Sequence, residues 1–213
     1  MSERLPFPPL MVAVAGCSGS GKTTLAAELA RTLGGLHFHL DNYYRDLSHL
    51  PPEERAHKDF DDPSILEIEL LAEHVAALAR GESIKQPVYD FATHTRRCDR
   101  CNELTPGPVV LVEGILALHY KELLPHYHLG VYVDTPDAMC LERRINRDIV
   151  ERGRTRESVL EQYEATVRPA SLRYVRPSSH AADIVLDGHD ELDWKVEVVY
   201  KALRERGLWR FSA

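Results

Sequence analysis

The 213-residue sequence contains no run of about 18 apolar residues, so no membrane-spanning helix is predicted. It also lacks a surplus of positive charge, because 26 Lys and Arg stand against 33 Asp and Glu, a formal net charge of -7. A general nucleic-acid binder needs the opposite balance to displace counterions from many phosphates. We therefore expect no membrane and no nucleic acid among its partners, and any polyanion that it binds should be small.

Cysteine is scarce, with four unevenly spaced residues, Cys17, Cys98, Cys101 and Cys140. They are too few for the disulfide framework of a small secreted domain, so a reducing cytoplasm is the expected location. Cys98 and Cys101 have C-x-x-C spacing close to His94, which could suggest zinc. A structural zinc site normally needs four ligands, however, and the sequence has no second cysteine pair. Two reduced surface thiols are therefore expected.

The sequence also lacks internal repeats and low-complexity tracts, and strand-like apolar runs alternate with helix-like segments. This pattern predicts an α/β fold with a parallel sheet. Together with the glycine-rich motif described below, it predicts the P-loop NTPase type, with a doubly wound, mostly parallel sheet flanked by helices. A hydrophobic content of 44% is enough for one core, so residues 1–213 are expected to form a single domain. Strands of the main sheet are predicted at residues 10–15, 36–40, 109–112, 129–133 and 184–186. Helices are predicted at residues 24–33, 62–79, 137–151, 158–167 and 193–206. Residues 84–91 should form a strand of a separate hairpin.

A glycine-rich motif follows the first predicted strand and precedes the first predicted helix. It matches the complete G-x-x-x-x-G-K-[ST] pattern as Gly16-Cys17-Ser18-Gly19-Ser20-Gly21-Lys22-Thr23. Backbone N–H groups of such a loop converge on phosphates, Lys22 reaches the β- and γ-phosphates, and the Thr23 hydroxyl is available to Mg²⁺. The motif predicts a nucleoside triphosphate with Mg²⁺, but by itself it does not separate a metabolite kinase from a GTPase or a motor ATPase.

Two carboxylates follow predicted parallel strands at the edge of the sheet where the glycine-rich loop should lie. Glu113 comes directly after the apolar run 109–112 and could support Mg²⁺ directly or through water; the alternative is a solvated strand-end carboxylate. Asp41 closes the second strand and could accept the proton of an attacking hydroxyl. It could also be a turn or N-cap residue before Asn42, and the residue pattern leaves both readings open.

Arginines are crowded between residues 143 and 156. Arg144 and Arg147 share one face of the predicted helix, while Arg152 and Arg154 flank Gly153. Guanidinium groups on a mobile segment can close over a transferring phosphoryl group, which predicts a lid at about 143–156. A solvated basic helix end, paired with neighbouring acidic residues, is the alternative.

Six segments resemble the uridine/cytidine kinase family, in order from about Val12 to Asp190. They are Gly16 to Thr24, Leu40-Asp41-Asn42-Tyr43-Tyr44-Arg45-Asp46-Leu47, Phe60-Asp61-Asp62-Pro63, Pro87-Val88-Tyr89-Asp90-Phe91 with His94 and Arg96, Val112-Glu113-Gly114-Ile115, and Arg147 to Arg154. The resemblance implies a P-loop kinase of pyrimidine salvage that transfers the γ-phosphate of ATP or GTP to the 5′-hydroxyl of uridine or cytidine, giving UMP or CMP. It also implies Mg²⁺ as cofactor, feedback binding of UTP or CTP, and a homotetramer.

The resemblance further implies roles for individual residues. Asp41 would be the general base, close to Mg²⁺ together with Thr23 and Glu113. Nucleotide binding would fall to residues 16–24 and to Asp190 near the donor nucleobase. Lys22, Arg152 and Arg154 would act on the transferring phosphoryl group. The acceptor pocket would be formed by Asp61, Arg147 and Gln162 at the ribose, Tyr89 and His94 on the hairpin at about 84–105, and Arg144 and Arg154 beside them.

Two other classes of function fit parts of this pattern. A related small-metabolite kinase, such as a phosphoribulokinase or pantothenate kinase, would share the phosphate loop but would not need Tyr89 and His94 for a pyrimidine. A nucleotide-dependent switch would need switch segments and a water-positioning residue, neither of which the sequence identifies. Tyr89 could also be a core aromatic residue and His94 a surface histidine.

Overall fold

The computed structural model describes residues 8–56 and 58–209. These residues form a five-stranded sheet, a separate two-stranded hairpin and helices on both faces of the sheet. The strands are β1 (Leu10–Gly16), β2 (Leu36–His39), β3 (Ile84–Asp90), β4 (Thr95–Leu104), β5 (Val109–Glu113), β6 (Leu129–Asp134) and β7 (Ile184–Asp187). The helices are α1 (Lys22–Leu33), α2 (Pro52–Ala56), α3 (Ile68–Ala79), α4 (Asp137–Arg152), α5 (Arg156–Gln162), α6 (Arg168–Ala170) and α7 (Leu192–Glu205).

The main sheet has the strand order β2-β5-β1-β6-β7, and every neighbouring pair is parallel. All five residues of β5 are buried, as expected for an inner strand that is covered on both faces. Because parallel strands end at the same edge, the carboxyl ends of β1, β2 and β5 lie together. The predicted doubly wound, mostly parallel sheet is confirmed.

Because successive side chains of a strand point to opposite faces of the sheet, the apolar residues of the strands pack into two cores. Phe38, Val110 and Val112 belong to the core on one face of the sheet. Leu111 belongs to the core on the other face, with residues of α1 such as Leu25. Helices therefore pack on both faces of the sheet, because each strand presents apolar side chains to both.

The antiparallel β3–β4 hairpin is tied to the segment that follows β2. Asn42 Nδ2 donates to Gln86 Oε1 at 3.1 Å, and Gln86 Nε2 donates to the carbonyl of His39 at 3.3 Å. From β4, Arg96 donates to the carbonyls of Tyr43 and Tyr44 at 2.9 and 2.7 Å. These bonds hold the hairpin over the carboxyl edge of the sheet, and its predicted position outside the main sheet is confirmed.

Two predicted helices differ from the observed ones. The segment predicted as one helix at 62–79 contains a 3₁₀ turn at Pro63–Ile65 and a separate helix that begins only at Ile68. Asp62 caps the turn by accepting from the Ser64 amide at 2.8 Å, and Leu66 is extended at φ -87°, ψ 143°, which separates the two elements. The helix predicted at 158–167 begins at Arg156, and wider π-helical turns at Tyr163–Val167 and Ser171–Val175 continue the helical path.

The short helix α2 was not predicted from the sequence, because five residues with three charges show no apolar period. None of the helices among the described residues has both the length and the apolar character that crossing a membrane requires.

Candidate active site

A cavity of about 440 Å³ opens at the carboxyl edge of the sheet. The glycine-rich loop and α1 form its floor, the β3–β4 hairpin one wall and the end of α4 with α5 the other. Seventeen residues line it: Ser18, Lys22, Thr23, Asp41, Tyr44, Phe60, Asp61, Phe91, Ala92, His94, Ile115, Arg144, Arg147, Glu151, Arg152, Arg154 and Gln162. The structure therefore brings together most of the predicted catalytic and acceptor residues, although Glu113, Tyr89 and Asp190 are not among the lining residues.

The glycine-rich loop has the backbone conformation of a phosphate cradle. Gly16 has φ +147°, and a Cβ there would lie 2.6 Å from the carbonyl oxygen of Val133. Gly21, at φ 96°, is the N-cap of α1 and so directs the free N–H groups of the first helical turn toward the cavity. Lys22 is buried at the start of the helix. The loop can therefore place N–H groups and one ammonium group around an anion.

Glu113 joins the glycine-rich loop to strand β2 through its two carboxylate oxygens. Oε1 accepts from Thr23 Oγ1 at 3.0 Å and lies 3.8 Å from Lys22 Nζ. Oε2 lies 3.2 Å from His39 Nδ1 and 3.7 Å from His37 Nε2. Burial by itself would raise the pKa of Glu113, but the two imidazoles and the ammonium group hold that pKa well below its usual value. Glu113 is therefore a carboxylate that stays ionised although it is buried.

Asp41 lies in the 3₁₀ turn Leu40–Tyr43 that follows β2, and it lines the same cavity as Lys22 and Thr23. Burial raises its pKa, and the negative charge of Glu113 raises it further, while Lys22 acts in the opposite direction. A raised pKa makes a carboxylate a stronger proton acceptor once it is ionised. The Asp41 carboxylate thus lies where it could accept a proton close to a phosphate-binding loop.

The donor set of Thr23, Asp41 and Glu113 fits Mg²⁺. All three offer hard oxygen atoms, and two of them are carboxylates that can balance a dication. The hydrogen bond from Thr23 Oγ1 to Glu113 Oε1 brings two of these oxygens within 3.0 Å of each other at the helix start. The chemistry of these groups, and the contact between Thr23 and Glu113, are therefore compatible with one Mg²⁺ beside the phosphate loop.

Asp61 and Gln162 both line the cavity, and Arg144 lies close to each of them. Arg144 Nη2 donates to Gln162 Oε1 at 3.1 Å, and Asp61 is only 6% exposed. Burial raises the pKa of Asp61 to about 6, although the positive charge of Arg144 acts to lower it. This part of the cavity offers a carboxylate and an amide to a polyhydroxylated ligand.

Four arginines of the predicted lid share one buried carboxylate, that of Asp148, which is fully inaccessible. Arg147 Nη2 lies 2.8 Å from Oδ1, Arg154 Nη1 3.4 Å from Oδ2, Arg152 Nη1 3.5 Å from Oδ1 and Arg144 Nε 3.8 Å from Oδ2. Burial by itself would raise the pKa of Asp148, but the guanidinium groups of Arg147 and Arg152 lower it. All four arginines also line the cavity, so each of them pairs with Asp148 and faces the cavity at the same time.

Aromatic side chains form the hairpin wall. His94 stacks on Phe60 with ring centroids 4.6 Å apart, and Phe60 contacts Tyr44 edge-on at 5.5 Å. His94 has φ 54°, the left-handed region that non-glycine residues rarely adopt. Burial lowers the pKa of its imidazole, and the nearby Arg152 and Arg154 lower it further, so the neutral form of the ring is favoured. A neutral imidazole can both donate and accept a hydrogen bond.

Tyr89 is buried behind this wall and does not line the cavity. Its ring lies 5.2 Å from that of Tyr44 and 5.3 Å from that of Phe91, and its hydroxyl is buried with no hydrogen-bond partner among the described residues. The structure thus places Tyr89 where it supports two rings that do reach the cavity.

Asp190 lies in the loop after β7. Arg143 connects this loop to the glycine-rich loop: its guanidinium donates to the carbonyls of Gly19 and Ser20 at 3.4 and 3.3 Å and to that of Gly188 at 3.5 Å. Of the other predicted loop residues, Cys17 is buried and Thr24 is exposed on α1. Cys98 and Cys101 are exposed free thiols on β4.

Several residues at the site were not identified from the sequence. Tyr44, Phe60 and Phe91 are within segments that suggested a family but had no assigned role, and Asp148 and Arg143 were seen only as part of a charged helix. His37 and His39 were missed altogether. Their H-x-H spacing in a predicted strand was an available signal, since residues two apart point to the same face.

Taken together, the cavity contains a phosphate-binding loop, a donor set for a divalent cation, a buried carboxylate for a proton and four guanidinium groups. This arrangement can position an anion and activate a hydroxyl, as phosphoryl transfer requires.

Sequence comparison identifies relatives along most of the chain. The Phosphoribulokinase / Uridine kinase family matches residues 11–193. A uridine kinase from Chloroflexus aggregans is 44% identical over 187 residues, which cover 86% of this chain and 89% of that protein. A uridine kinase from Halobacterium salinarum is 42% identical over 184 residues, 85% of this chain and 81% of that protein. In fold, the chain is similar to a phosphoribulokinase from Rhodobacter spheroides, with a TM-score of 0.63 and 15% identity over 84% of this chain and 70% of that structure.

Proposed function

The chain belongs to the Phosphoribulokinase / Uridine kinase family, and from this premise we propose that it is a uridine kinase built on a single P-loop kinase domain. It transfers the γ-phosphate of ATP or GTP to the 5′-hydroxyl of uridine, with cytidine as a second acceptor, and yields UMP or CMP. The observation that carries this proposal is one cavity that joins Lys22 and Thr23 to Asp41, Asp61 and His94. A phosphate site, a base and an acceptor pocket within one cavity are what direct transfer to a hydroxyl needs.

On the donor side, the glycine-rich loop and Lys22 bind the β- and γ-phosphates. Thr23, Asp41 and Glu113 would hold Mg²⁺ directly or through water, and the bound ion would neutralise charge on the phosphate oxygens. Asp190 lies near the donor nucleobase, a role supported by the link that Arg143 makes between its loop and the glycine-rich loop.

On the acceptor side, Asp61, Arg147 and Gln162 bind the ribose hydroxyls. The neutral imidazole of His94 can present a donor or an acceptor to a pyrimidine, which supports acceptance of both bases. Its stacking on Phe60 and its strained backbone hold the ring in one orientation. Tyr89 supports this wall through its contacts with Tyr44 and Phe91.

In the reaction, Asp41 orients the 5′-hydroxyl and accepts its proton as the oxygen attacks the γ-phosphorus. A new P–O bond forms to the ribose oxygen, the bond from the γ-phosphorus to the β,γ-bridging oxygen breaks, and the nucleoside diphosphate leaves with that oxygen. Lys22, Arg152 and Arg154 stabilise the charge on the transferring group. Arg152 ends α4 and Arg154 lies between α4 and α5, so both are positioned to exclude water from the cavity.

Three further parts of the proposal concern the environment of the enzyme. A reducing cytoplasm is supported by free thiols at Cys17, Cys98, Cys101 and Cys140. The resemblance of the sequence to its family supports a homotetramer and feedback binding of UTP or CTP.

A coupled assay for nucleoside diphosphate release tests the proposed reaction. Purified chain with Mg²⁺ is given ATP or GTP and one acceptor at a time: uridine, cytidine, ribulose 5-phosphate, pantothenate or none. We expect release that depends on uridine or cytidine, with UMP or CMP as product. Equal release without acceptor would indicate a nucleotide hydrolase, and dependence on ribulose 5-phosphate or pantothenate would replace the acceptor assignment. Rejection of one pyrimidine by more than about 10⁴-fold in kcat/KM would show that His94 does not set base tolerance.

A further inference from the structure

Beside the proposed Mg²⁺ site, on the outer side of Glu113, lies a second group of metal-ligating side chains. His37 Nε2 and His39 Nδ1 lie 3.7 and 3.2 Å from Glu113 Oε2, and one ligand atom from each residue lies within 4.8 Å of the others. Within residues 8–56 and 58–209 this is the one group of three His, Cys, Asp or Glu residues with such spacing.

The sheet register explains why the three side chains meet. β2 is an edge strand that pairs in parallel with β5, and His39 lies opposite Glu113. His37 is two residues earlier and therefore shares the face of His39, while Phe38 between them points into the core on the other side. An edge strand leaves this face partly open, since the His37 side chain is 17% exposed and the His39 side chain 41% exposed.

The ligand types and distances are those of a transition-metal site. Bonds of about 2.0–2.1 Å in a tetrahedral zinc site place neighbouring ligand atoms about 3.4 Å apart, between the two distances to Glu113 Oε2. Two imidazoles and one carboxylate, with an open position for water, form a ligand set that prefers Zn²⁺ or Co²⁺ to Mg²⁺. His37 Nε2 is also buried and makes no hydrogen bond among the described residues, so its lone pair is available to a metal ion.

We propose that His37, His39 and Glu113 form an inhibitory site for Zn²⁺ or a similar transition-metal ion. Glu113 would bind the ion through Oε2, the oxygen opposite the one that accepts from Thr23 and lies near Lys22. A dication on Oε2 neutralises part of the negative charge of the carboxylate. It thereby weakens the contacts that Oε1 makes with Thr23 and Lys22 at the phosphate end of the cavity. Binding at the outer oxygen would therefore slow phosphoryl transfer without blocking the acceptor pocket.

Metal binding itself is measured first, and that measurement needs no turnover. Chelator-treated protein at about pH 8, above the ordinary pKa of an imidazole, is titrated with Co²⁺ in excess Mg²⁺ and followed by visible absorption; calorimetry with Zn²⁺ gives the stoichiometry. We expect one ion per chain, and a rise in Kd of at least about tenfold in both His37→Leu and His39→Gln. His180→Gln, a change at an exposed histidine elsewhere, is the matched control and should bind as the wild type does. Absence of Co²⁺ binding to the wild type, or binding that survives both strand variants, would overturn the site.

The inhibitory role is tested by turnover at saturating Mg²⁺ with increasing Zn²⁺, and each variant is compared with its own metal-free rate. We expect the Zn²⁺ concentration for half inhibition to rise at least about tenfold in His37→Leu and to stay unchanged in His180→Gln. If half inhibition of His37→Leu and of the wild type needs the same Zn²⁺ concentration, the site is not inhibitory. A folded His37→Leu protein is verified by its melting temperature, and His39→Gln is a second, independent test. Because binding is read by absorption, failure of the uridine kinase assay would leave the metal result interpretable.

Discussion

Replacement of Asp61 by Asn should stabilise the protein and weaken nucleoside binding. The Asp61 side chain is buried in the cavity, and its burial raises its pKa from 3.8 to about 6. The folded state therefore binds a proton more tightly than the unfolded chain, and ionisation of Asp61 costs folding free energy. That cost is absent below the unfolded pKa of 3.8, grows as the pH rises toward about 6, and is fully present above it.

The size of the effect follows from the two pKa values. Each pKa unit corresponds to about 1.4 kcal/mol, so the wild type loses about 3 kcal/mol at pH 8 and about half of that at pH 5. The neutral amide of Asp61→Asn avoids this cost at similar size. Arg144 does not become unpaired, because it keeps Asp148 and Gln162. We expect a gain of up to about 3 kcal/mol at pH 8, or about 6–12 °C in Tm for a chain of this size.

The assay is denaturant unfolding at pH 5 and pH 8, with nucleoside KM measured on the same preparations. Asp62→Asn is the matched control, because the pKa of the neighbouring Asp62 is lowered, first by a hydrogen bond from the Ser64 side chain and further by the Ser64 amide at 2.8 Å. The control should show no gain at pH 8, because Asn caps a helical turn about as well as Asp and the lowered pKa means that ionised Asp62 costs no folding free energy. For Asp61→Asn the nucleoside KM should rise about 10–100-fold, since a hydrogen bond to a charged group contributes about 1.5–3 kcal/mol. No stabilisation at pH 8, or a gain equal at both pH values, would refute the assignment of a buried, ionising carboxylate.

Four further changes separate the proposed roles. Asp41→Asn should lower kcat about 10²–10⁴-fold with little change in nucleoside KM, because it removes the proton acceptor but keeps the shape of the pocket; steady-state kinetics with unchanged kcat would exclude Asp41 as the base. Lys22→Ala should lower the rate by orders of magnitude with a similar Tm, and more than a tenth of wild-type activity would contradict its role at the phosphates. His94→Ala should raise KM for uridine and cytidine together and leave KM for ATP unchanged, whereas a change confined to ATP would move the acceptor pocket elsewhere. Asp148→Asn should lower the free energy of unfolding by about 3–5 kcal/mol, because four guanidinium groups lose a fully buried partner. Its lowered pKa means that the wild-type stabilisation is present above the ordinary pKa of Asp and is lost as the pH falls through the folded value; a melting curve of the variant equal to that of the wild type would show that the arginines do not depend on Asp148.

The main elements of the fold were predictable because their signals are local. Apolar runs of four to six residues, predicted as β1, β5 and β6, agree with the observed strands within one residue at each end. The hairpin at β3 and β4 was also recognised. Where local signals conflicted, prediction failed: Pro63 at a turn looked like the first turn of a longer helix, and the extended backbone at Leu66 has no clear mark in the sequence.

The residues that line the cavity were predictable to different degrees. Lys22, Thr23, Asp41 and Asp61 reach the cavity as expected from their motifs. Tyr89 also lies in a segment that resembles the family, yet its ring packs behind Tyr44 and Phe91. Which side of a twisted hairpin faces a cavity depends on how the hairpin docks, and the alternation of its residues does not specify that docking.

The sequence by itself determined the phosphate loop, the alternation of strands and helices and the family, because each depends on residues close together along the chain. Tertiary structure decided what Glu113 contacts. The strand order places β5 between β1 and β2, so Thr23 lies 90 residues from Glu113 in sequence yet donates to one of its oxygens, while His39, 74 residues away, contacts the other. Such contacts depend on strand order and register, which are fixed when the whole core packs, and local periodicity contains no information about them.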